Sequence, residues 1–92
     1  MIRSFRHKGL KRLYEGADPR GVIVEHAVKL RDILVRLDAA HTAADLDLPG
    51  FKLHPLKGER KGFWSVTVRA NWRVAFRFAD RDVFDVDYLD YH

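Results

Sequence analysis

The chain has 92 residues and no cysteine, which excludes disulfides, thiolate nucleophiles and cysteine-based zinc sites. Its length suits one small domain over residues 1–92, and its 47% hydrophobic and 12% aromatic content argues against disorder. No segment approaches the roughly 20 apolar residues that a membrane span needs, and no apolar run follows the basic N-terminus. We therefore expect a cytoplasmic protein without a membrane anchor.

The formal net charge of +4 is unevenly distributed. Residues 1–36 contain nine Lys/Arg and four acids, residues 50–78 contain seven and one, and residues 79–92 contain five aspartates and one arginine. A cationic surface of this kind favours a polyanion through phosphate contacts, and such binding is salt-dependent. A solvated basic face is the alternative that charge alone leaves open.

The first half of the chain predicts a short strand and two helices. Residues 2–5 alternate apolar and polar side chains, and residues 8–15 place Leu10, Leu13 and Tyr14 at helical spacing before Gly16. After a turn at residues 18–21, a longer helix over residues 23–37 carries an apolar stripe. The stripe consists of Ile23, Ala27, Leu30, Ile33, Leu34 and Leu37. A brief helical turn is expected around Leu46.

The second half predicts three strands. Residues 63–69 alternate, a turn at residues 70–71 follows, and residues 72–78 return as the second strand of a hairpin. A last strand is expected to direct Phe84, Val86 and Tyr88 toward the core. The order β-α-α-β-β-β indicates an α+β fold in which an antiparallel sheet packs against two N-terminal helices.

Cationic side chains concentrate on the predicted outward side of the hairpin. Alternation places Arg73 and Arg77 there together with Ala75, and Arg69 ends the preceding strand on its polar side. The guanidinium group binds phosphate through paired hydrogen bonds and stays charged at physiological pH. The preceding loop adds Lys57, Arg60 and Lys61, which favours phosphate binding over a merely solvated face.

Two histidines are the candidates for acid–base chemistry. His54 lies in a basic loop, and His92 follows Asp90 and Tyr91 at the end of the last strand. Two histidines near one phosphate can divide RNA cleavage, because one accepts the 2′-hydroxyl proton and the other protonates the leaving 5′-oxygen. Asp90 would orient a histidine or act as base, and Tyr91 would stack or donate a hydrogen bond. The alternatives are a packed His54, a frayed C-terminus and a zinc site at His54, Asp90 and His92.

Four segments of the chain carry a family resemblance. They are IRSFRHKGLK at residues 2–11, KLHPLKG at 52–58, WSVTVRANWR at 64–73 and DYLDYH at 87–92. Together they closely resemble the HigB toxins of the RelE/ParE toxin–antitoxin superfamily. The resemblance implies a curved RelE-like sheet and a ribosome-dependent endoribonuclease that cuts mRNA in the ribosomal A site. The two-histidine scheme requires no metal, and no cofactor is expected.

The resemblance also implies partners and site residues. The partner would be a HigA-like helix-turn-helix antitoxin, through which alone the toxin would meet operator DNA. The family's catalytic set would fall on His54, Asp90, Tyr91 and His92, with Lys57 and Arg73 supplying positive charge near the scissile phosphate. The alternatives are a ParE-like gyrase inhibitor without catalysis and a noncatalytic nucleic-acid-binding module, neither of which needs the histidine pair.

Overall fold

The computed structural model describes residues 1–91. Two α-helices, α1 (Lys8–Gly16) and α2 (Ala27–Ala39), precede four strands, which form one antiparallel sheet in chain order. The strands are β1 (His54–Pro55), β2 (Trp64–Arg69), β3 (Trp72–Ala79) and β4 (Asp82–Asp90). Short 3-10 helices span Pro19–Gly21, Val24–His26, Ala43–Leu46 and Gly58–Arg60. The predicted α+β fold class is confirmed, and no helix within residues 1–91 is long and apolar enough to cross a membrane.

Helix α1 matches the predicted segment and is closed at both ends. The His7 Nδ1 accepts a hydrogen bond from the Leu10 N–H at 3.0 Å, which caps the first turn. Ala17 adopts a left-handed conformation with φ 53° and donates its N–H to the Leu13 carbonyl. Gly9 packs directly on Gly21, and a Cβ added to Gly9 would overlap the Gly21 carbonyl. The close contact fixes α1 against the following turn.

Helix α2 buries the predicted stripe except at its first position. Leu30, Ile33 and Leu37 are fully buried, whereas Ile23 is 37% exposed. The α-helix begins only at Ala27, because Val24–His26 forms a 3-10 turn instead. His26 is buried there, with its Nδ1 2.6 Å from the Tyr88 hydroxyl. This contact ties the start of α2 to β4.

The hairpin of β2 and β3 agrees closely with the predicted one. Val66 pairs with Val74 and Thr67 with Arg73, and Ala70 turns the chain with φ 51°. Val66, Val74 and Phe76 of this hairpin are buried in the main core cluster together with residues of the two helices. We call the helix-covered side of the sheet the core face and the opposite side the outer face.

Strand β4 departs from simple alternation at a bulge. The register with β3 shifts between Ala75 and Arg77, where Asp85 has φ 56°. Val83 consequently lies in the core, and the expectation that Phe84 points there is wrong. Phe84 instead contacts the Arg77 guanidinium at 5.0 Å.

The two ends of the predicted strand pattern also differ from expectation. The N-terminal strand is reduced to two isolated parallel bridges to β4, Ile2 to Val83 and Phe5 to Val86. The sheet instead gains the short strand β1. Its two residues pair with β2 and lie within residues 52–58, which the sequence predicts to form a loop. His54 therefore lies on the edge strand of the sheet.

Candidate active site

His54 is exposed on a backbone that the sheet holds in place. It pairs with Ser65 on β2, and two residues later the Leu56 N–H donates a hydrogen bond to the Phe63 carbonyl at 2.9 Å. Leu56 is buried, while the His54 side chain faces solvent. A fixed backbone with a free imidazole suits a group that must meet a large substrate.

A small apolar cluster on the outer face joins the His54 loop to the end of β4. Leu56, Phe63 and Ala75 form its buried part, and Leu89 and Tyr91 pack against them. Ala75 lies on the outer face, as alternation predicts, yet it is fully buried under this cluster. We call this group the outer cluster, and it brings Tyr91 to the loop that follows His54.

Arg73 lies on the outer face near the start of β3, and a hydrogen bond orients it. Its Nη1 donates a hydrogen bond to the Ser65 Oγ at 3.0 Å, and Ser65 itself is buried. Because Ser65 is the strand partner of both His54 and Ala75, this bond draws the half-buried guanidinium toward the row that contains His54. The structure thus directs Arg73 toward the strand partner of His54.

The other two arginines of the hairpin are placed differently. Arg77 donates its Nε to the Asp85 Oδ2 at 2.8 Å, and this bond lowers the pKa of the Asp85 carboxyl. Its charge is therefore balanced within the protein. Arg69 is exposed at the end of β2, beside the hairpin turn. Arg69 adds positive charge at the hairpin end, and Arg77 forms a local ion pair.

The loop between β1 and β2 has two solvent-exposed lysines and one arginine that is bound within the protein. Lys57 and Lys61 are exposed on either side of the Gly58–Arg60 turn. Arg60 donates its Nη2 to the Asp87 Oδ2 at 3.2 Å, and its Nη1 is buried without a hydrogen-bond partner in residues 1–91. Arg60 consequently fastens the loop to β4 and offers little of its guanidinium to a ligand.

The acidic end of the chain completes the outer face. Asp90 is exposed at the end of β4, and Tyr91 is half-buried, with its N–H bonded to the Asn71 carbonyl at 2.8 Å. His92 lies outside the described residues. Strands β1 and β4 are opposite edges of the sheet, separated by three spacings or about 14 Å across it. His54 and the C-terminus would therefore meet over the outer face and not as neighbours on adjacent strands, and their convergence stays a prediction.

Two supporting residues were missed from the sequence. Ser65 orients Arg73, and Asp87 holds Arg60 while also accepting the Tyr88 N–H at 2.9 Å. The hairpin register could have identified Ser65, because a turn at residues 70–71 places it diagonally across from Arg73. No sequence signal places the Arg60 loop over β4.

Two further histidines have roles in the fold. His7 caps α1, and burial lowers its pKa. His26 lies against Trp72 and Tyr88 in the core. Among residues 1–91, no three His, Asp or Glu side chains are grouped so that they could hold a metal ion.

The fold is that of a small α+β protein whose helices cover one side of an antiparallel sheet. The other side of the sheet carries His54, Tyr91 and the oriented Arg73. A family model described as the RelE-like toxin of the type II toxin–antitoxin system HigB matches residues 3–92. The chain belongs to this family of HigB-like toxins.

Two relatives match over their full or nearly full length. The chain is 47% identical to the Endoribonuclease HigB of Proteus vulgaris over 92 residues, which covers all of both chains. It is 33% identical to Toxin HigB-1 of Vibrio cholerae over 95 residues, covering all of this chain and 98% of that one. The family resemblance read from the sequence is confirmed, and the alternatives of a ParE-like gyrase inhibitor and a noncatalytic binding module are not favoured.

Proposed function

We propose that this protein is a metal-independent endoribonuclease toxin that cleaves translated mRNA in the ribosomal A site and thereby inhibits translation. The observation that carries the proposal is the outer face, where Tyr91 packs in the outer cluster with the loop that follows His54, and Arg73 is hydrogen-bonded to Ser65, the strand partner of His54. The printed name of the Proteus vulgaris relative, an endoribonuclease, supports the same reading. Residues 1–92 would act as a single toxin domain.

The proposed reaction uses the RNA's own 2′-hydroxyl as nucleophile. A base removes its proton while the 2′-oxygen bonds to the adjacent phosphorus, and the bond from phosphorus to the 5′-oxygen breaks. An acid protonates that leaving oxygen, so the products are a 2′,3′-cyclic phosphate and a 5′-hydroxyl. His54 and His92 are the acid and base candidates, and which takes which role is left open.

The remaining site residues serve charge and orientation in this scheme. Lys57 and Arg73 would stabilise the negative charge that develops on the phosphate oxygens, and Asp90 would orient a histidine or act as base. Tyr91 would stack on a base or donate a hydrogen bond. Arg69 and Lys61 are exposed for backbone contacts, whereas Arg60 and Arg77 would contribute less to RNA binding, since Asp87 and Asp85 balance their charges.

The proposed setting follows from the family. A HigA-like helix-turn-helix antitoxin would neutralise the protein, and operator DNA would be reached only through that antitoxin. The protein would bind ribosomal RNA and mRNA in the cytoplasm. Residues 50–78 contain seven Lys/Arg and one acid, and this positive charge favours binding to a polyanion.

One experiment tests the proposal directly. Wild type and the His92→Ala variant are added to translating and nontranslating extracts, and the 5′ ends of the mRNA are mapped. We expect new ends in the translating extract with wild type only. Cleavage that persists unchanged without His92 would remove that residue from the site, and a failure of wild type to cut with ribosomes present would sink the proposed function.

A further inference from the structure

Exposed valines lie on helix α2 and on the turn before it, and the toxin's proposed chemistry does not use them. Val24, Val28 and Val35 are 71%, 78% and 69% exposed, although the opposite side of the helix fills the core. Val28 and Val35 are seven residues apart and lie on one side of α2, and Val24 precedes them in the 3-10 turn. We call these three residues the valine stripe. Large exposed apolar residues gathered in this way mark interaction sites on soluble proteins.

The valine stripe borders a groove between the two helices. The groove has a volume of about 340 Å³, with Leu13 and Tyr14 on the α1 side and Leu34 and Val35 on the α2 side. Val35 belongs to both features, which makes one continuous apolar surface. A groove between helices with an adjoining apolar ridge accepts an amphipathic helix, whose apolar side chains enter at intervals of three or four residues.

The net charge of the two helices favours an acidic occupant. Helices α1 and α2 together contain six Lys/Arg and three acids. Asp38 directs its Oδ1 to internal donors, the Ile2 N–H at 3.0 Å and the Tyr14 hydroxyl at 2.7 Å. Arg31 also lines the groove, is exposed, and has no ion pair or hydrogen bond within residues 1–91. A carboxylate on the occupant would pair with Arg31.

We propose that the groove between α1 and α2, together with the valine stripe, is the docking surface for an acidic amphipathic segment of the protein antitoxin. The inference rests on the toxin–antitoxin role proposed above. Family membership supplies a protein partner, and the helical layer lies on the opposite side of the sheet from His54 and Arg73. A nucleic acid would use the cations but has no use for three exposed valines, and a second copy of this chain would bring further positive charge.

Affinity for the purified antitoxin tests the surface. Val28→Asp, Val35→Asp and Arg31→Glu are compared with Ala44→Asp, which adds a negative charge at an exposed position beyond α2. Each stripe or groove variant should bind at least about tenfold more weakly, because a buried contact is lost or a carboxylate is repelled. The Ala44→Asp control should bind within about twofold of the parent chain.

Controls for folding, for RNA cleavage and for self-association accompany the affinity measurement. Circular dichroism melting confirms that each variant is folded, which is expected because all the altered side chains are exposed. RNA cleavage by the parent chain tests the proposed function separately, since affinity is measured whether or not the chain cuts RNA. Unchanged affinity of the variants, no binding by the parent chain, or a homodimer of the isolated chain that Val28→Asp dissociates would each overturn the docking proposal.

Discussion

The two sides of the sheet use the same strands in different ways. On the core face, Val66, Val74 and Phe76 are fully buried and belong to the main apolar cluster with residues of the two helices. The outer face has a small buried cluster, and around it lie oriented or exposed polar groups such as Arg73 and His54. Stability therefore depends mainly on one face, which leaves the other free to carry chemistry.

Substitution of the central core residue should have the largest effect. Phe76→Ala removes a fully buried ring from β3 and should lower the free energy of unfolding by about 3–5 kcal/mol. Leu89→Ala, at the half-buried margin of the outer cluster, should cost about 1 kcal/mol. Denaturant unfolding of both variants measures the difference, and equal losses would contradict the division between the faces.

Substitution of the oriented arginine should affect catalysis more than stability. Arg73→Ala removes the oriented cation of the outer face and should reduce the cleavage rate by about 10²–10³-fold. Arg81→Ala, at the exposed turn between β3 and β4, is the matched control and should leave the rate nearly unchanged. Rates are measured on ribosome-bound mRNA, and an equal decline in both variants would show only a general effect of charge.

The hairpin was predictable because side-chain alternation and a turn residue specify it together. Alternation from Trp64 to Phe78 separates the two faces, and the turn at Ala70 falls where the pattern reverses. The same pattern failed at Phe84, since one residue in the left-handed region inserts a bulge that alternation does not reveal. The Ser4 Oγ accepts the Asp85 N–H at 2.8 Å, a contact between opposite ends of the chain that stabilises this bulge.

The sequence predicts on which side of the sheet the site lies, but only part of how its residues contact one another. Alternation assigned Arg73 to the outer side, and composition identified the cationic loop. The sequence could not show that the Arg60 loop folds over Ala75 and reaches Asp87, because that depends on packing between distant segments. Strand β1 was missed for a related reason, since two residues acquire strand geometry from their partner and not from a pattern of their own.

Loss of the Ser65 hydroxyl should have an intermediate effect on the outer face. Ser65→Ala releases Arg73 from its hydrogen bond and should reduce the cleavage rate by about tenfold, since one charge-assisted bond is lost. Thr67→Val is the control, because the Thr67 Oγ1 is buried without a partner in residues 1–91. Should the two variants cleave mRNA at the same rate, Ser65 would not position Arg73.

The smallest expected effect is on the pH dependence of stability, because acid should weaken the contact between Asp38 and the N-terminal segment. The Ile2 N–H and the Tyr14 hydroxyl bond to the Asp38 carboxylate, and its pKa is lowered mainly by the former. A lowered folded-state pKa gives stability above the unfolded value of about 4, which is lost as the pH falls through the folded one. Unfolding of Asp38→Asn should depend less on pH below about 5 than that of the parent chain. Parallel pH profiles would contradict this.

If the outer face is the catalytic surface, the single-turnover rate of mRNA cleavage on the ribosome should depend on His54. His54→Ala alters an exposed histidine on β1, whereas His41→Ala alters an exposed histidine after α2. We expect a loss of about 10²–10⁴-fold for His54→Ala and an unchanged rate for His41→Ala. Equal rates in the two variants would show that His54 has no part in the cleavage.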